Sequence, residues 1–422
     1  MDLSFNKQIS FSKLELCSEI QLSIKNSGFI EPTPIQEKVI PLVLKKHDIL
    51  ATAQTGSGKS ASFILPILEL LSKNPSEGKA KIKVLVLTPT RELTLQIADT
   101  FNKFGANLKK KLKVVSVIGG ESIGDQLFEI QKGCDILIAT SGRFLDVLSK
   151  KQMNLSNLEF FVLDEADKML NLGFSEELDA ILKEISQKRQ NLLFSATYPP
   201  KMQEIASKIT KNPTIVEFEL DKPVVQTITQ RAIAVNRDNR TPLIRHLLKT
   251  QKWESVLVFM ANKRASDNIA AKLRKYGFEA YSFNGDLAQD ERKETLEAFK
   301  ARKFRILFAT DLVSRGIDID NITCVINFDL PRSPDDYIHR IGRTGRAKKY
   351  GLAISFIGIE DEAHFSLIEK RSDIKLKREQ IEGFELEGSP LPKEKGKAPI
   401  KGKGKSKKDK LREKALRDAK EN

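Results

Sequence analysis

Short runs of Val, Ile, Leu and Phe recur along this chain, separated by longer stretches in which apolar residues return at helical spacing. The runs predict buried strands and the stretches between them predict helices. In the first half the runs fall at Lys83–Leu87, Val114–Ile118, Ile136–Ala139, Phe160–Leu163 and Leu192–Phe194. The series restarts at Arg231–Val235 and continues through Val256–Phe259, Ala280–Phe283, Arg305–Phe308, Thr323–Ile326 and Ala353–Phe356. Runs such as Val84-Leu85-Val86-Leu87 show no polar alternation, so helices must cover both faces of their sheets. Strand and helix alternating in this way build parallel βαβ units, and the restart predicts two doubly wound α/β domains. Ligand sites are then expected at the carboxyl ends of the strands.

Between the two series, residues 219–226 are charged, contain Pro223 and follow no period, which marks an interdomain linker. The expected division is 1–37 as an N-terminal region, 38–218 and 227–375 as the domains, and 376–422 as a basic tail. After about Gly388 apolar residues give way to a Gly- and Lys-rich stretch, which cannot bury a core and is expected to be disordered.

Composition narrows the class. With 422 residues, 40% hydrophobic and 30% charged, the chain suits two globular domains plus extensions. No apolar stretch approaches the ~18 residues that span a bilayer; the longest, Phe63–Leu71, is broken by Pro66 and Glu69. The start, Met1 to Ser10, has neither a basic segment nor an apolar block, so no signal peptide is expected. Cys17, Cys134 and Cys324 form neither a disulfide framework nor a zinc pattern. A cytoplasmic protein without membrane attachment is expected. The net charge is +15, and residues 389–422 hold 13 Lys or Arg against 5 Asp or Glu, a net of +8. That imbalance points to a polyanion such as nucleic acid, against the alternative of a merely solvated charge run.

Chemistry enters at Ile49-Leu50-Ala51-Thr52-Ala53-Gln54-Thr55-Gly56-Ser57-Gly58-Lys59-Ser60, which reads as strand, glycine-rich turn and helix start. In such a turn Gly56 and Gly58 let backbone N–H groups surround a phosphate at a helix N-terminus. Lys59 would neutralise the β- and γ-phosphates, and the Ser60 hydroxyl would ligate Mg²⁺. Ala53 stands where the general pattern has Gly, and a plain helix-capping turn is the alternative. About 105 residues on, the apolar run Phe161-Val162-Leu163 ends in Asp164 and Glu165. Asp164 would hold Mg²⁺, and Glu165 would be the general base for an attacking water. Acidic residues after a strand also cap helices, but with the glycine-rich turn they indicate an NTPase.

Asp164-Glu165-Ala166-Asp167 spells the box of the DEAD-box RNA helicases, and the chain resembles that family from about Phe5 to Ile368. The resemblance implies tandem RecA-like domains that bind ATP and RNA. Gly28-Phe29 and Pro32-Thr33-Pro34-Ile35-Gln36, with Phe11 ahead of them, resemble the family's Q motif. By that resemblance Gln36 bonds the adenine edge, Phe11 packs on the ring, and Phe29 belongs to the ATP site with Ala53 to Ser60. An amide offers the donor and acceptor that adenine N6 and N7 require, so ATP is expected over GTP.

Pro89-Thr90-Arg91, Gly119-Gly120 and Thr140-Ser141-Gly142-Arg143 resemble motifs that contact the RNA backbone. In the second domain Gln289, Arg292 and Thr310 are implied RNA contacts, and Gly316 and Asp318 ATP contacts. Ser195-Ala196-Thr197, Asp167 and His339 are implied to couple hydrolysis to RNA. His339 to Arg346 resembles the block that supplies arginine fingers, here Arg343 and Arg346. Departures are mild: Ser60 for Thr, Ser141 for Pro, Thr94 for Ala and Asn262 for Thr. The short N-terminus and basic tail resemble bacterial, RhlE-like members. A monomer is expected. A DNA translocase on the same scaffold and an ATP-gated RNA clamp with little unwinding are the rival functions.

Overall fold

The computed structural model describes residues 10–53, 57–76, 78–198, 200–218, 228–311, 322–345 and 350–388. Two lobes each hold one seven-stranded, wholly parallel sheet. The first contains β1 (Ile49–Thr52), β2 (Val84–Thr88), β3 (Val114–Val117), β4 (Ile136–Thr140), β5 (Phe160–Leu163), β6 (Gln190–Ser195) and β7 (Thr214–Glu217), in the order β3-β4-β2-β5-β6-β1-β7. The second contains β8 (Ile228–Ala234), β9 (Val256–Met260), β10 (Ala280–Phe283), β11 (Ile306–Thr310), β12 (Cys324–Asn327), β13 (Gly351–Ile357) and β14 (Arg378–Glu379), in the order β10-β11-β9-β12-β13-β8-β14.

Period-two alternation explains how one strand serves two cores. Val84 and Val86 join the cluster with α3 (Lys59–Lys73) and α4 (Arg91–Gly105), whereas Leu85 and Leu87 join the opposite cluster with Phe144 and Met169. Each fully buried side chain of this size contributes ~1.5–3 kcal/mol. The second sheet repeats the scheme. Val256 and Val258 face α10 (Arg240–Thr250) and α11 (Lys263–Lys275), and Leu257 and Phe259 face α12 (Gln289–Lys300).

Helix starts follow the sequence closely. The Thr90 hydroxyl accepts from Leu93 N and opens α4; Asn262 accepts from Ala265 N and opens α11. The remaining first-lobe helices are α1 (Ser18–Asn26), α2 (Pro34–Leu44), α5 (Ile123–Gln131), α6 (Ser141–Ser149), α7 (Ala166–Asn171), α8 (Ser175–Glu184) and α9 (Pro200–Ile209). The second lobe adds α13 (Pro334–Ile341) and α14 (Glu362–Ser372).

One boundary needs correcting. The basic tail was expected from residue 376, but residues 376–388 pack on the second lobe. β14 pairs with β8, Ile381 and Phe384 join the core cluster, and the Phe384 ring lies 5.4 Å from His246. A two-residue polar edge strand has no apolar run to announce it. The linker at 219–226 and the tail at 389–422 lie outside the described residues. Among the described residues no helix is long and apolar enough to cross a membrane, and the three cysteines are free thiols.

Candidate functional site

Sheet order sorts the motifs before any side chain is considered. β5, β6 and β1 are neighbours, and the chain leaving them carries Asp164–Asp167, Ser195–Thr197 and the glycine-rich turn. β3, β4 and β2 lie side by side at the other end and lead to Gly119-Gly120, Thr140–Arg143 and Pro89–Arg91. Register sets the ends level: Thr52 lies opposite Ser195, and Thr88 opposite Thr140. Nucleotide-type and backbone-type residues thus occupy adjacent stretches of one carboxyl edge.

In the glycine-rich turn, Ala53 and Ser57 to Ser60 are described; Gln54, Thr55 and Gly56 lie outside the described residues. Lys59 Nζ is buried and donates to Ala53 O at 2.6 Å, which ties the turn across its own mouth. Gly58 has φ +92°, and a Cβ there would come within 2.5 Å of Gln36 Nε2. Gln36 donates from Nε2 to Gly58 O at 3.1 Å and accepts at Oε1 from Thr33 N at 3.0 Å. A primary amide has two N–H groups and two lone pairs, so one of each remains for a nucleobase. Phe29 is partly exposed and packs beside Phe104 at 5.7 Å. Phe11, expected beside the base, is buried with the first-lobe core cluster.

The acidic cluster is buried. Asp164 Oδ1 accepts from Glu165 N at 2.9 Å; burial, against the pull of Lys59, pushes the Asp164 carboxyl up to about 6. Glu165 adopts φ +52°, a left-handed conformation that costs a non-glycine residue ~1–3 kcal/mol and concentrates at functional sites. Its Oε1 accepts from Lys168 Nζ at 2.7 Å, and its Oε2 has no hydrogen-bond partner among the described residues. Burial raises the Glu165 pKa, but Lys168, Lys59 and Arg343 outweigh it and bring the group to about 2. Lys168 was missed in the sequence, where only its i,i+3 spacing from Glu165 could have signalled it. Thr197 Oγ1 donates to Asp167 Oδ2 at 3.2 Å, and Ser195 Oγ donates to Thr197 O at 2.6 Å, which joins two of the coupling motifs.

The second lobe reaches this cluster. Arg343 is buried and close enough to lower the Glu165 pKa. His339 is held neutral, its pKa drawn well below 6.5 by burial and then by Lys168, against the pull of Glu165. Arg340, given no role by the sequence, is the hub of this block. It donates to Asp311 at 2.5 and 2.7 Å, to Asn327 Oδ1 at 3.1 Å and to Asp329 O at 2.6 Å. Gly316, Asp318 and Arg346 lie outside the described residues.

At the other stretch of the edge, the Arg91 guanidinium covers Gly119 and Gly120, where added Cβ atoms would meet it at 3.2 and 2.5 Å. Arg143 donates to Gln126 Oε1 at 3.1 Å and to Glu121 O. Pro89 and Thr90 are buried, Thr140 and Gly142 half-buried, and Gly142 faces open space. In the second lobe Thr310 is half-buried, and Gln289 Oε1 has no hydrogen-bond partner among the described residues. Arg292, expected as an RNA contact, is buried in an ion pair with Glu92 of the first lobe and donates from Nη1 to Asn284 O at 2.8 Å.

Among the described residues no three His, Cys, Asp or Glu side chains cluster as a metal cage. Asp164 and Ser60 fit Mg²⁺ differently, since this ion takes one or two protein ligands and completes its shell with phosphate and water. A fully buried carboxylate with a raised pKa is a group that gains from a cation.

Comparison with known proteins decides the family. The DEAD/DEAH box helicase model matches residues 33–205, and the helicase conserved C-terminal domain matches residues 239–348. The DEAD-box ATP-dependent RNA helicase CshA of Bacillus subtilis is 38% identical over 370 residues, covering 88% of this chain and 74% of that protein. The chain belongs to the DEAD-box family of ATP-dependent RNA helicases.

Two solved structures share its fold. Mss116p bound to single-stranded RNA and AMP-PNP is 28% identical, covers 89% of this chain and 80% of its own, and gives a TM-score of 0.81. A DEAD box protein from Methanococcus jannaschii, 40% identical over 88% of this chain and 99% of its own, gives only 0.50. The tandem RecA-like fold is thereby shown. The bacterial relative carries the CshA name, and RhlE-likeness stays an expectation from the sequence.

Proposed function

We propose that this helicase closes its two lobes around ATP and RNA and uses the hydrolysis for local, largely sequence-independent opening of short RNA duplexes. Residues 38–218 and 227–388 act as the two halves, the Q-motif region precedes them, and 219–226 joins them. Lys59 holds the β- and γ-phosphates with the backbone of the turn from Ala53 to Ser60. Gln36 reads adenine beside Phe29, and Gly316 and Asp318 approach the nucleotide from the second lobe. Ser60 and Asp164 hold Mg²⁺, which when bound neutralises developing phosphate charge. Glu165 takes the proton of the water that attacks the γ-phosphorus, ADP departs, and Arg343 and Arg346 stabilise the charge on the transferring group.

Asp167, Ser195, Thr197 and His339 pass the state of that site to the strand, which Pro89, Thr90, Arg91, Gly119, Gly120, Thr140, Gly142, Arg143, Gln289 and Thr310 hold by its backbone. Backbone contacts carry little sequence information, hence the breadth of substrate. The reading rests above all on one observation: Arg343 and His339 of the second lobe share an electrostatic environment with Lys168 and Glu165 of the first. Because closure builds both sites at once, ATP and RNA raise each other's affinity by the same factor. We place the helicase in the cytoplasm, a reading supported by three free thiols, and take it to act as a monomer.

The test is ATP turnover with RNA, with DNA of the same sequence, and with neither, for the wild type and Glu165→Gln. RNA-specific stimulation that vanishes in the variant, while ATP still binds, is expected. Equal stimulation by DNA would move the assignment to a DNA translocase.

A further inference from the structure

The helices on one face of the second sheet, α10 and α11, carry eight Lys or Arg against one Asp. On the opposite face α12 carries three against four Asp or Glu. The lobe's positive charge is therefore sided, not spread. Between α10 and the last turn of α11 lies a cavity of about 570 Å³ lined by Asp238, Thr241, Arg245, Lys272, Lys275 and Tyr276, among others. Tyr276 is 61% exposed, and the Arg245 guanidinium lies 4.3 Å from its ring centroid, bracing the ring by cation–π attraction. Lys272 and Lys275 are exposed, and among the described residues neither they nor Arg245 is in an ion pair.

This groove stands apart from the RNA edge described above. Asn262, at the carboxyl end of β9, caps the start of α11, and the helix then runs 13 residues. Its last turn is roughly 20 Å from that edge at 1.5 Å per residue. The groove does adjoin the root of the tail. Asn236 Nδ2 donates to Glu387 O, and Glu387 N donates to Asn236 Oδ1, both at 2.8 Å, two residues before Asp238. Glu387, next to the last described residue, thus lies beside the segment that enters a basic, aromatic groove.

We propose that this groove is a second RNA site, which takes single-stranded RNA flanking the segment held between the lobes. A base stacks on Tyr276, and neighbouring phosphates pair with Arg245, Lys272 and Lys275. A run of carboxylates would satisfy the cations alone; a chain of nucleotides satisfies the cations and the open ring together. Stacking on one ring accepts any base, so the site adds length preference rather than sequence preference. The inference goes beyond the proposed function, which concerns only the interlobe strand.

The test uses the full chain and fluorescein-labelled oligouridine of about 10 and about 40 nucleotides, the shorter near the size of one single-strand site. Lys272→Glu with Lys275→Glu is expected to weaken binding of the long RNA about tenfold and to lower its salt slope by about 1.4, at ~0.7 for each phosphate no longer neutralised. The short RNA should bind and stimulate ATP turnover as before. Tyr276→Ala should weaken long-RNA binding several-fold without changing the slope, and Tyr276→Phe should restore it. Lys249→Glu with Lys252→Glu, the same charge change outside the groove, should do little. The proposal is overturned if that control weakens long-RNA binding equally, if short-RNA binding falls in parallel, or if the Lys272/Lys275 pair leaves both RNAs unaffected. Failure of short RNA to stimulate the wild type would instead count against the interlobe function.

Discussion

Arg292 of the second lobe and Glu92 of the first form a buried ion pair, with Arg292 Nε 2.8 Å from Glu92 Oε1. They lie 200 positions apart in the chain. Arg292 also stacks over Phe283 at 4.9 Å. Such a pair exists only while the lobes are together, so it belongs to closure and not to the stability of either lobe.

Removing one partner strands a buried charge, at a cost of ~3–5 kcal/mol. Because the cost falls on the closed state alone, Arg292→Ala or Glu92→Ala should lower RNA-stimulated kcat/KM about a hundredfold or more. ATP affinity without RNA and the melting temperature should hardly move. Exchanging the pair, Glu92→Arg with Arg292→Glu, should recover part of the loss. If Arg292→Ala acted only on RNA affinity and Glu92→Ala had no effect, the pair would not be an interlobe latch.

Gly58 offers a second test, since two independent obstacles meet there. Its φ of +92° disfavours any side chain, and a Cβ would sit 2.5 Å from Gln36 Nε2 and 2.8 Å from Thr33 Oγ1. Gly58→Ala should therefore displace the turn and the adenine-reading amide together, raising the Kd for ATP more than about tenfold, with the lobe still folded. Gly78 has φ +70° with nothing near its Cβ position, so Gly78→Ala should leave nucleotide binding unchanged. Equal ATP affinities in the two variants would refute this account.

Most of the fold was legible because parallel strands buried on both faces leave unbroken apolar runs such as Val84–Leu87. β7 and β14 were not, because edge strands need no such run; β7 alternates instead, with Ile215 exposed and Val216 buried. The site divides the same way. Residues whose chemistry fixes their type, such as Lys59, Asp164 and Glu165, could be picked out by spacing. Residues defined by a partner could not. Arg340 and Lys168 are ordinary basic residues in sequence, and only folding reveals that each is buried against a carboxylate; Arg292 stood out by resemblance, but its partner Glu92 did not.

The tail supplies a third prediction. Residues 389–422 carry 13 Lys or Arg against 5 Asp or Glu. Each phosphate they neutralise adds about 0.7 to the salt slope for single strands. Deleting them should weaken long-RNA binding and flatten its salt dependence by about 2 or more, while basal ATP turnover stays the same. An unchanged slope would assign the tail to a protein partner.

The strap at 376–388 makes a prediction about acid. Arg378 donates to Glu369 at 2.9 Å and to Glu362 at 2.7 Å, both on α14, and so clasps β14 to the lobe. The hydrogen bond from Arg378 holds the Glu369 carboxyl below its ordinary value of 4.5, more than burial raises it. A carboxylate whose folded pKa is depressed contributes stability that is complete above its unfolded pKa and is lost as pH falls through the folded one. The strap should therefore be fully clasped above about pH 4.5 and loosen progressively below it. Amide hydrogen exchange at Leu376 to Glu379 should quicken, relative to its intrinsic rate, as pH falls through that window. In Arg378→Gln it should be fast already at neutral pH, with little further change on acidification. Protection that stayed constant from neutrality to pH 3, or that weakened equally in the variant, would mean that backbone pairing with β8, not this ion pair, secures the strap.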